Sequence, residues 1–115
     1  MTSPHQSFLD DCAREIAAQG EDPKLRALTR DWFNAANAAK YSYHFSWLGR
    51  PIIQYPQDIA AFQELVWQVQ PDVIVETGIA HGGSLILSAS LLAMLDLCDA
   101  TQAGEMLDPV RPRRK

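Results

Sequence analysis

Apolar residues recur at intervals of three and four near the start of the chain, which predicts two amphipathic helices. The first covers residues 3–19, with Ser3 as its N-cap and Gly20 as the residue that ends it. The second follows Asp22, whose side chain is typical of an N-cap. Because each helix has an apolar stripe, we expect both to cover other parts of a protein.

Residues 41–55 change to a period of two, since aromatic and polar residues alternate from Tyr41 to Trp47. Gly49 interrupts this pattern, and residues 52–55 again predict a short extended segment. Two interpretations stay open. The aromatic side chains belong to a core, or they form a substrate-facing wall or lid with Arg50 as a contact for an anion.

A helix followed by a buried strand is predicted next. Apolar positions indicate a helix over residues 58–69, with Asp58 as a candidate cap and Pro71 after its end. Residues 72–77 include a run of apolar, β-branched residues, which is typical of a strand buried on both faces in a parallel sheet.

A glycine turn links this strand to a further helix. Gly78, Gly82 and Gly83 can take positive φ and let a ligand approach the backbone closely. The helix would begin near Gly83, with Ser84 as a candidate N-cap, and would point free N–H groups over the turn. A strand, a glycine turn and a helix N-terminus together predict a nucleotide or cofactor site at the carboxyl end of a sheet.

This order of elements indicates an α/β fold with an incomplete sheet. Only 72–77 is a convincing strand, and a single strand leaves its edges unpaired. We therefore expect N-terminal amphipathic helices in residues 1–40. Residues 41–115 would be the start of a larger Rossmann-like domain that is truncated after a loop at 98–115.

Composition and charge narrow the class of protein. An apolar share of 47% and a charged share of 21% are typical of a soluble globular protein. No uninterrupted apolar run of about 18 residues occurs, so we expect no membrane span, and the N-terminus lacks a signal-peptide pattern. Cys12 and Cys98 lie far apart, which favours free thiols in the cytoplasm.

The net charge of −4 hides a basic C-terminus, because four of the ten Lys and Arg residues lie among the last five positions. The acidic remainder of the chain argues against nucleic acid as a partner.

Glu76 is the candidate binding residue at the end of the predicted strand. A carboxylate there can hold the ammonium group of an amino-acid ligand, or it can cap the backbone N–H groups of a neighbouring loop. The spacing from Gly78 onward is not G-x-G-x-x-G, so the glycine turn alone is a weak signal. His81 has no companion at metal-ligand spacing, and we expect no metal site in these residues.

Two segments resemble one known family. Residues 41–58, with the sequence YSYHFSWLGRPIIQYPQD, and residues 76–84, with the sequence ETGIAHGGS, are similar to those of the cephalosporin hydroxylase family. That family is similar to the rhamnosyl O-methyltransferases, which use S-adenosylmethionine on a Rossmann-like fold. The resemblance extends from about residue 25 to the C-terminus.

The resemblance implies specific roles for residues of both segments. It places a methyl-donor pocket at Glu76, Gly78, Ala80, His81, Gly82 and Ser84. It places the aromatic segment near the donor or acceptor pocket, with Tyr43, Trp47, Arg50 and Tyr55 as candidate substrate contacts. It also implies a second strand and ligands for a divalent metal such as Mg²⁺, both of which would follow Lys115 in a complete domain.

We therefore expect an O-methyltransferase acting on a hydroxyl of a sugar or small secondary metabolite, with weak or no activity in these residues alone. Exposed apolar faces would allow a homo-oligomer. One alternative is a hydroxylase of the β-lactam nucleus, although no triad of two histidines and a carboxylate is evident. The other is a non-catalytic remnant that binds a partner protein.

Overall fold

The computed structural model describes residues 3–115 and divides into two compact units, one ending at Ala39 and one beginning at Lys40. The first unit contains two helices, α1 (Pro4–Glu21) and α2 (Pro23–Ala38). The second contains a 3-10 turn, the strands β1 (Phe45–Trp47) and β2 (Arg50–Ile52), and the helices α3 (Pro56–Val69) and α4 (Gly83–Ala103).

Side-chain caps set the start of both helices in the first unit. The backbone N–H of Gln6 donates to Ser3 Oγ at 3.1 Å, which confirms Ser3 as the cap of α1. The prediction that Gly20 ends this helix is wrong, because α1 continues to Glu21. Asp22 leaves the helical conformation instead, and its carboxylate accepts from Lys24 and Leu25 and so caps α2.

The aromatic segment folds as a turn and a hairpin. Residues Tyr41–Tyr43 form a 3-10 turn, and β1 pairs with β2 in antiparallel register, with Phe45 opposite Ile52 and Trp47 opposite Arg50. Leu48 and Gly49 connect the strands with φ of +45° and +80°. Two successive left-handed residues match the twist of a two-residue hairpin turn. The predicted extended segment 52–55 therefore joins a strand only at Ile52.

The predicted strand 72–77 is not part of a sheet within the described residues 3–115. Its backbone is paired at one place: Lys115 N–H donates to Asp72 O at 2.9 Å, and Ile74 N–H donates to Lys115 O at 2.8 Å. The prediction of a strand buried on both faces is therefore wrong for the described residues, because a strand is completed by neighbouring strands, and Val75 is 84% exposed. Helices and one small antiparallel sheet are compatible with a partial α/β fold, and no parallel sheet forms in the described part.

α3 and α4 differ from their predicted ends. α3 begins two residues earlier than expected, at Pro56, and Asp58 lies in its first turn rather than at its cap. There it favours the helix through the dipole. The predicted loop at 98–115 begins too early, because α4 continues to Ala103 and ends at Gly104 in the left-handed conformation.

The core of the second unit is built on α4. Leu92 and Leu95 pack with Val66 of α3, and the partly buried Phe62, Ile74 and Leu91 surround them. By length and composition alone α4 could also cross a membrane, as can many core helices of soluble proteins. In this fold it supplies buried side chains to a core.

An ion-pair network joins α4 to the C-terminal segment. Asp96, only 2% exposed, accepts hydrogen bonds from the backbone N–H groups of Arg113 and Arg114 and from Arg114 Nη1. Arg114 also pairs with Asp99 through Nη2 at 2.7 Å. Burial alone would raise the pKa of Asp96, but the hydrogen bonds from both arginines and the charge of Arg114 outweigh it and hold that pKa below its usual value. The hydrogen bond to Asp99 outweighs burial and raises the pKa of Arg114.

This network predicts a loss of stability in acid. Because the folded chain holds Asp96 ionised to lower pH than the unfolded chain, the unfolded state binds more protons as the pH falls below about 4. We expect the free energy of unfolding to fall in that range. The fall should be smaller in Asp96→Asn, measured by urea unfolding between about pH 6 and pH 3.

Asp72→Asn is the matched control, since the Asp72 side chain is exposed. The control should keep the pH dependence of the unchanged protein. Identical acid profiles for Asp96→Asn and the unchanged protein would contradict the assignment.

Candidate functional site

A cavity of about 520 Å³ lies between α3, the segment after it and the start of α4. This volume falls within the range of small-molecule sites. Most of its wall is apolar, and polar side chains come both from the α3 side and from the turn before α4. The lining residues are Gln54, Asp58, Ile59, Ala61, Phe62, Leu65, Glu76, Thr77, Gly78, Ser84, Leu87 and Ser88.

Glu76 and Ser84 form the polar centre of this wall. Ser84 Oγ donates to Glu76 Oε1 at 2.5 Å, and both residues are half-buried. The expectation that Ser84 caps α4 is wrong, because the residue before the helix is Gly82 and Ser84 lies inside the first turn. The Ser84 hydroxyl instead orients the Glu76 carboxylate at the cavity surface. This is a charge-assisted hydrogen bond, which is stronger than one between neutral groups.

Three left-handed residues shape the turn between Glu76 and α4. Gly78 and Gly82 both have φ of +83°, and Ala80 has φ of +45°. A Cβ on Gly78 would meet no atom within 4 Å, and Gly78 lines the cavity, so its bare backbone faces open space. The predicted positive φ is therefore confirmed at Gly78 and Gly82.

Gly83 is required for a different reason. It lies in the first turn of α4, where a Cβ would lie 2.2 Å from Pro51 O and 2.6 Å from Ile52 Cβ. The absence of a side chain allows the start of α4 to lie directly against β2. This contact fixes where the free N–H groups of the helix point.

The start of α4 places a partial positive charge beside a carboxylate. Gly82 precedes the helix without a side-chain cap among the described residues, so the first amides keep hydrogen-bonding capacity. Ser84, on that first turn, lines the cavity together with Glu76. The site therefore offers an anion-binding helix end and a cation-binding carboxylate, which suits a zwitterionic ligand.

The six predicted donor-site residues divide between two cavities. Glu76, Gly78 and Ser84 line the larger one. Ala80, His81 and again Ser84 line a smaller cavity of about 190 Å³, together with residues 51–53. Gly82 is buried in the turn between them. Ser84 is the residue shared by both cavities.

The aromatic candidates lie elsewhere in the second unit, and the described lining of the larger cavity contains none of Tyr43, Trp47, Arg50 and Tyr55. Trp47 Nε1 donates to Ser90 Oγ at 2.9 Å and so ties β1 to α4. Tyr55 lies 5.9 Å from Tyr41, ring centre to ring centre, and Tyr43 and Arg50 are exposed. Their assignment to the substrate remains a prediction.

Sequence analysis missed one side of the larger cavity. Asp58, Phe62 and Leu65 come from one face of α3, and Gln54 comes from the segment just before that helix. The spacing of 58, 62 and 65 was visible as one helical face. Phe62 and Leu65 were predicted only as apolar positions of a helix and Asp58 only as its cap, because nothing in the sequence indicates that this face lies opposite Glu76.

The described residues contain no candidate metal-binding cluster. No group of three or more His, Cys, Asp or Glu side chains among residues 3–115 is arranged to hold a metal ion. His81 is exposed on the turn.

Comparison with known protein families shows to which family the chain belongs. Residues 39–109 match the family described as rhamnosyl O-methyltransferase/CmcI, which is more than half of the sequence. The chain belongs to this family. Searches of curated proteins and of solved structures gave no significant match.

The rhamnosyl O-methyltransferase/CmcI match contains the whole larger cavity, whose lining extends from Gln54 to Ser88. It also contains the hairpin and α4, whereas α1 and α2 lie outside it, so the match is shorter than the predicted resemblance from about residue 25 to the C-terminus. The family assignment therefore concerns the unit that carries the candidate site.

Replacing Gly83 tests the packing that shapes the site. We expect Gly83→Ala to lower the free energy of unfolding by about 1–3 kcal/mol, because the new methyl group displaces the backbone of β2. Gly20→Ala is the control, since a Cβ on Gly20 would meet nothing within 4 Å and Gly20 is helical. It should be neutral or stabilising by up to about 1 kcal/mol. Equal effects of both changes in urea unfolding would disprove the close packing.

Proposed function

We propose that the larger cavity binds S-adenosylmethionine and that the chain takes part in methyl transfer to a hydroxyl group of a small acceptor, a sugar or a secondary metabolite. Membership of an O-methyltransferase family and the cavity at Glu76, Gly78 and Ser84 support this proposal. The acceptor class comes from the family resemblance alone.

The charges of the cavity fit the amino-acid end of this donor. The Glu76 carboxylate, oriented by Ser84, would accept hydrogen bonds from the ammonium group. The N–H groups at the start of α4 would receive the carboxylate. When bound, S-adenosylmethionine supplies an electrophilic methyl group on a sulfonium centre.

The remaining wall suits a less polar part of the ligand. Ile59, Phe62, Leu65 and Leu87 provide apolar surface, and Asp58 adds a second carboxylate to the lining. Gly78 leaves room beside its backbone for the ligand to approach. Two carboxylates and no Lys or Arg in this lining favour a ligand with net positive charge, such as a sulfonium.

We propose that further parts of the domain are needed for turnover. Methyl transfer to a hydroxyl requires a group that removes its proton, often assisted by a divalent metal such as Mg²⁺. The described residues contain no candidate metal centre, and segment 72–77 is paired only at Lys115. We therefore expect these 115 residues alone to show weak or no methyl transfer.

A partner-binding role is the second candidate, favoured by exposed apolar side chains. Val73, Val75 and Ile79 are 58%, 84% and 58% exposed on one continuous segment. Apolar residues at such exposure can mark an interaction surface, including one between copies of this chain.

We also propose that the protein is cytoplasmic and has no nucleic-acid partner. Both proposals rest on the sequence.

Donor binding is tested by calorimetric titration with S-adenosylmethionine. We expect saturable binding, and we expect Glu76→Gln to weaken it about tenfold or more, since hydrogen bonds to charged groups contribute about 1.5–3 kcal/mol. Ser84→Ala should weaken it less, because the carboxylate remains but loses its orientation.

Glu64→Gln is the matched control, because Glu64 lies on α3 but does not line the cavity. The affinity of this variant for S-adenosylmethionine should stay within about twofold of that of the unchanged chain, since surface charges contribute little. A folded chain that does not bind the donor would overturn the proposal and favour the partner-binding role.

Turnover is a separate prediction. With a panel of sugar and small-metabolite hydroxyls, methyl transfer from labelled S-adenosylmethionine by the purified 115 residues should stay near the level without protein. Robust transfer would show that the described residues suffice for catalysis.

A further inference from the structure

The segment that carries Glu76 receives backbone support from the C-terminal residue. Lys115 donates to Asp72 O and accepts from Ile74 N–H, so one residue bonds on both sides of Val73. This is the hydrogen-bond pattern of a parallel ladder. Glu76 follows Ile74 by two residues, so the position of Lys115 constrains the backbone segment that leads to Glu76.

Asp96 and Arg114 hold that C-terminal segment in place. The Asp96 carboxylate receives the Arg113 backbone N–H at 2.8 Å, the Arg114 backbone N–H at 3.2 Å and Arg114 Nη1 at 2.8 Å. The Arg114 guanidinium is in turn fixed by Asp99. The side chains of Asp96 and Arg114 are only 2% and 10% exposed, so water does not readily replace these bonds.

The network lies far from the cavity. Asp96 follows Ser84 by twelve residues on the same helix, a distance of about 18 Å along the axis. Asp96 therefore has no direct contact with a ligand held by Ser84 and Glu76. Residues 113–115 and the segment 72–76 form one continuous path from the network to Glu76.

Stabilisation of the fold by ion pairing does not by itself explain this network. Buried ion pairs often contribute little net stability, because removing two charges from water offsets their attraction. What the network does specify is geometry, since two successive backbone N–H groups converge on one carboxylate. Such convergence sets the register of Lys115 against Asp72 and Ile74.

We propose that Asp96 and Arg114 are positioning residues for the candidate site, because they fix residues 113–115 beside segment 72–74 and thereby hold Glu76 at the cavity. The part that concerns the ligand rests on the proposed function. The part that concerns the backbone does not, and it can be tested without any ligand.

Amide hydrogen exchange tests the backbone part at neutral pH. We expect Asp96→Asn and Arg114→Lys to speed exchange at the Ile74 amide. This acceleration should be about tenfold or more larger than any acceleration at the core amides of Leu92 and Leu95. Arg114→Lys keeps the charge but loses the fork that reaches both Asp96 and Asp99. It also serves as the milder variant if Asp96→Asn does not fold.

Arg113→Ala is the matched control. The Arg113 side chain pairs with the exposed Glu105, while its backbone N–H, which the substitution keeps, binds Asp96. Ile74 exchange in this variant should stay within about twofold of the unchanged chain. Equal acceleration at Ile74, Leu92 and Leu95 would indicate global destabilisation and overturn the proposal.

Donor titration of the same variants tests the functional part. We expect Asp96→Asn and Arg114→Lys to weaken S-adenosylmethionine binding about threefold or more, and Arg113→Ala to leave it unchanged. Faster Ile74 exchange with unaltered donor affinity would show that the network does not position the site. Absence of binding by the unchanged chain would refute the proposed function, while the exchange data would still decide the backbone part.

Discussion

The close approach of α4 to β2 at Gly83 is the contact on which the candidate site depends. Pro51 O and the Ile52 side chain occupy the space that a Cβ on Gly83 would need. Ile52 is in turn 1% exposed, so the hairpin and the helix start form one packed unit. The orientation of the α4 N-terminus, and with it the position of Ser84, follows from this contact.

Two kinds of restraint hold α4, one at each end. Close packing acts at its start, through Gly83, and the hydrogen bond from Trp47 to Ser90 adds a restraint about two turns further along. Electrostatics acts near its end, where Asp96 and Asp99 bind Arg114. Leu92 and Leu95 pack between them against α3. A helix fixed in this way can serve as a rigid support for a site at its N-terminus.

The unit gains its order from helices more than from a sheet. Residues 72–76 carry the apolar pattern of a buried strand, yet Val73 and Val75 are mostly exposed. A strand of this kind is normally covered on both faces and paired along both edges. In this chain the backbone pairing comes from Lys115, so the segment that carries Glu76 has little ladder support of its own. That makes the C-terminal network relevant to the site.

Features that depend on local chemistry could be predicted from the sequence. The caps at Ser3 and Asp22 involve side chains within three residues of the N–H groups they bind. The left-handed Gly78 and Gly82 reflect a conformation that glycine adopts at no steric cost, and the motif from Glu76 to Ser84 carried the family resemblance that the family match confirms.

Features that depend on residues distant in the chain became visible only in the folded structure. Ser84 binds Glu76 instead of capping α4, and Gln54 and Asp58 join the cavity wall because α3 lies opposite the turn. The role of Arg114 also depends on α4, since the same basic residue would be a solvated surface charge without Asp96 and Asp99. Local patterns specify backbone conformation, whereas partners eight or more residues apart are specified only when packing brings them together.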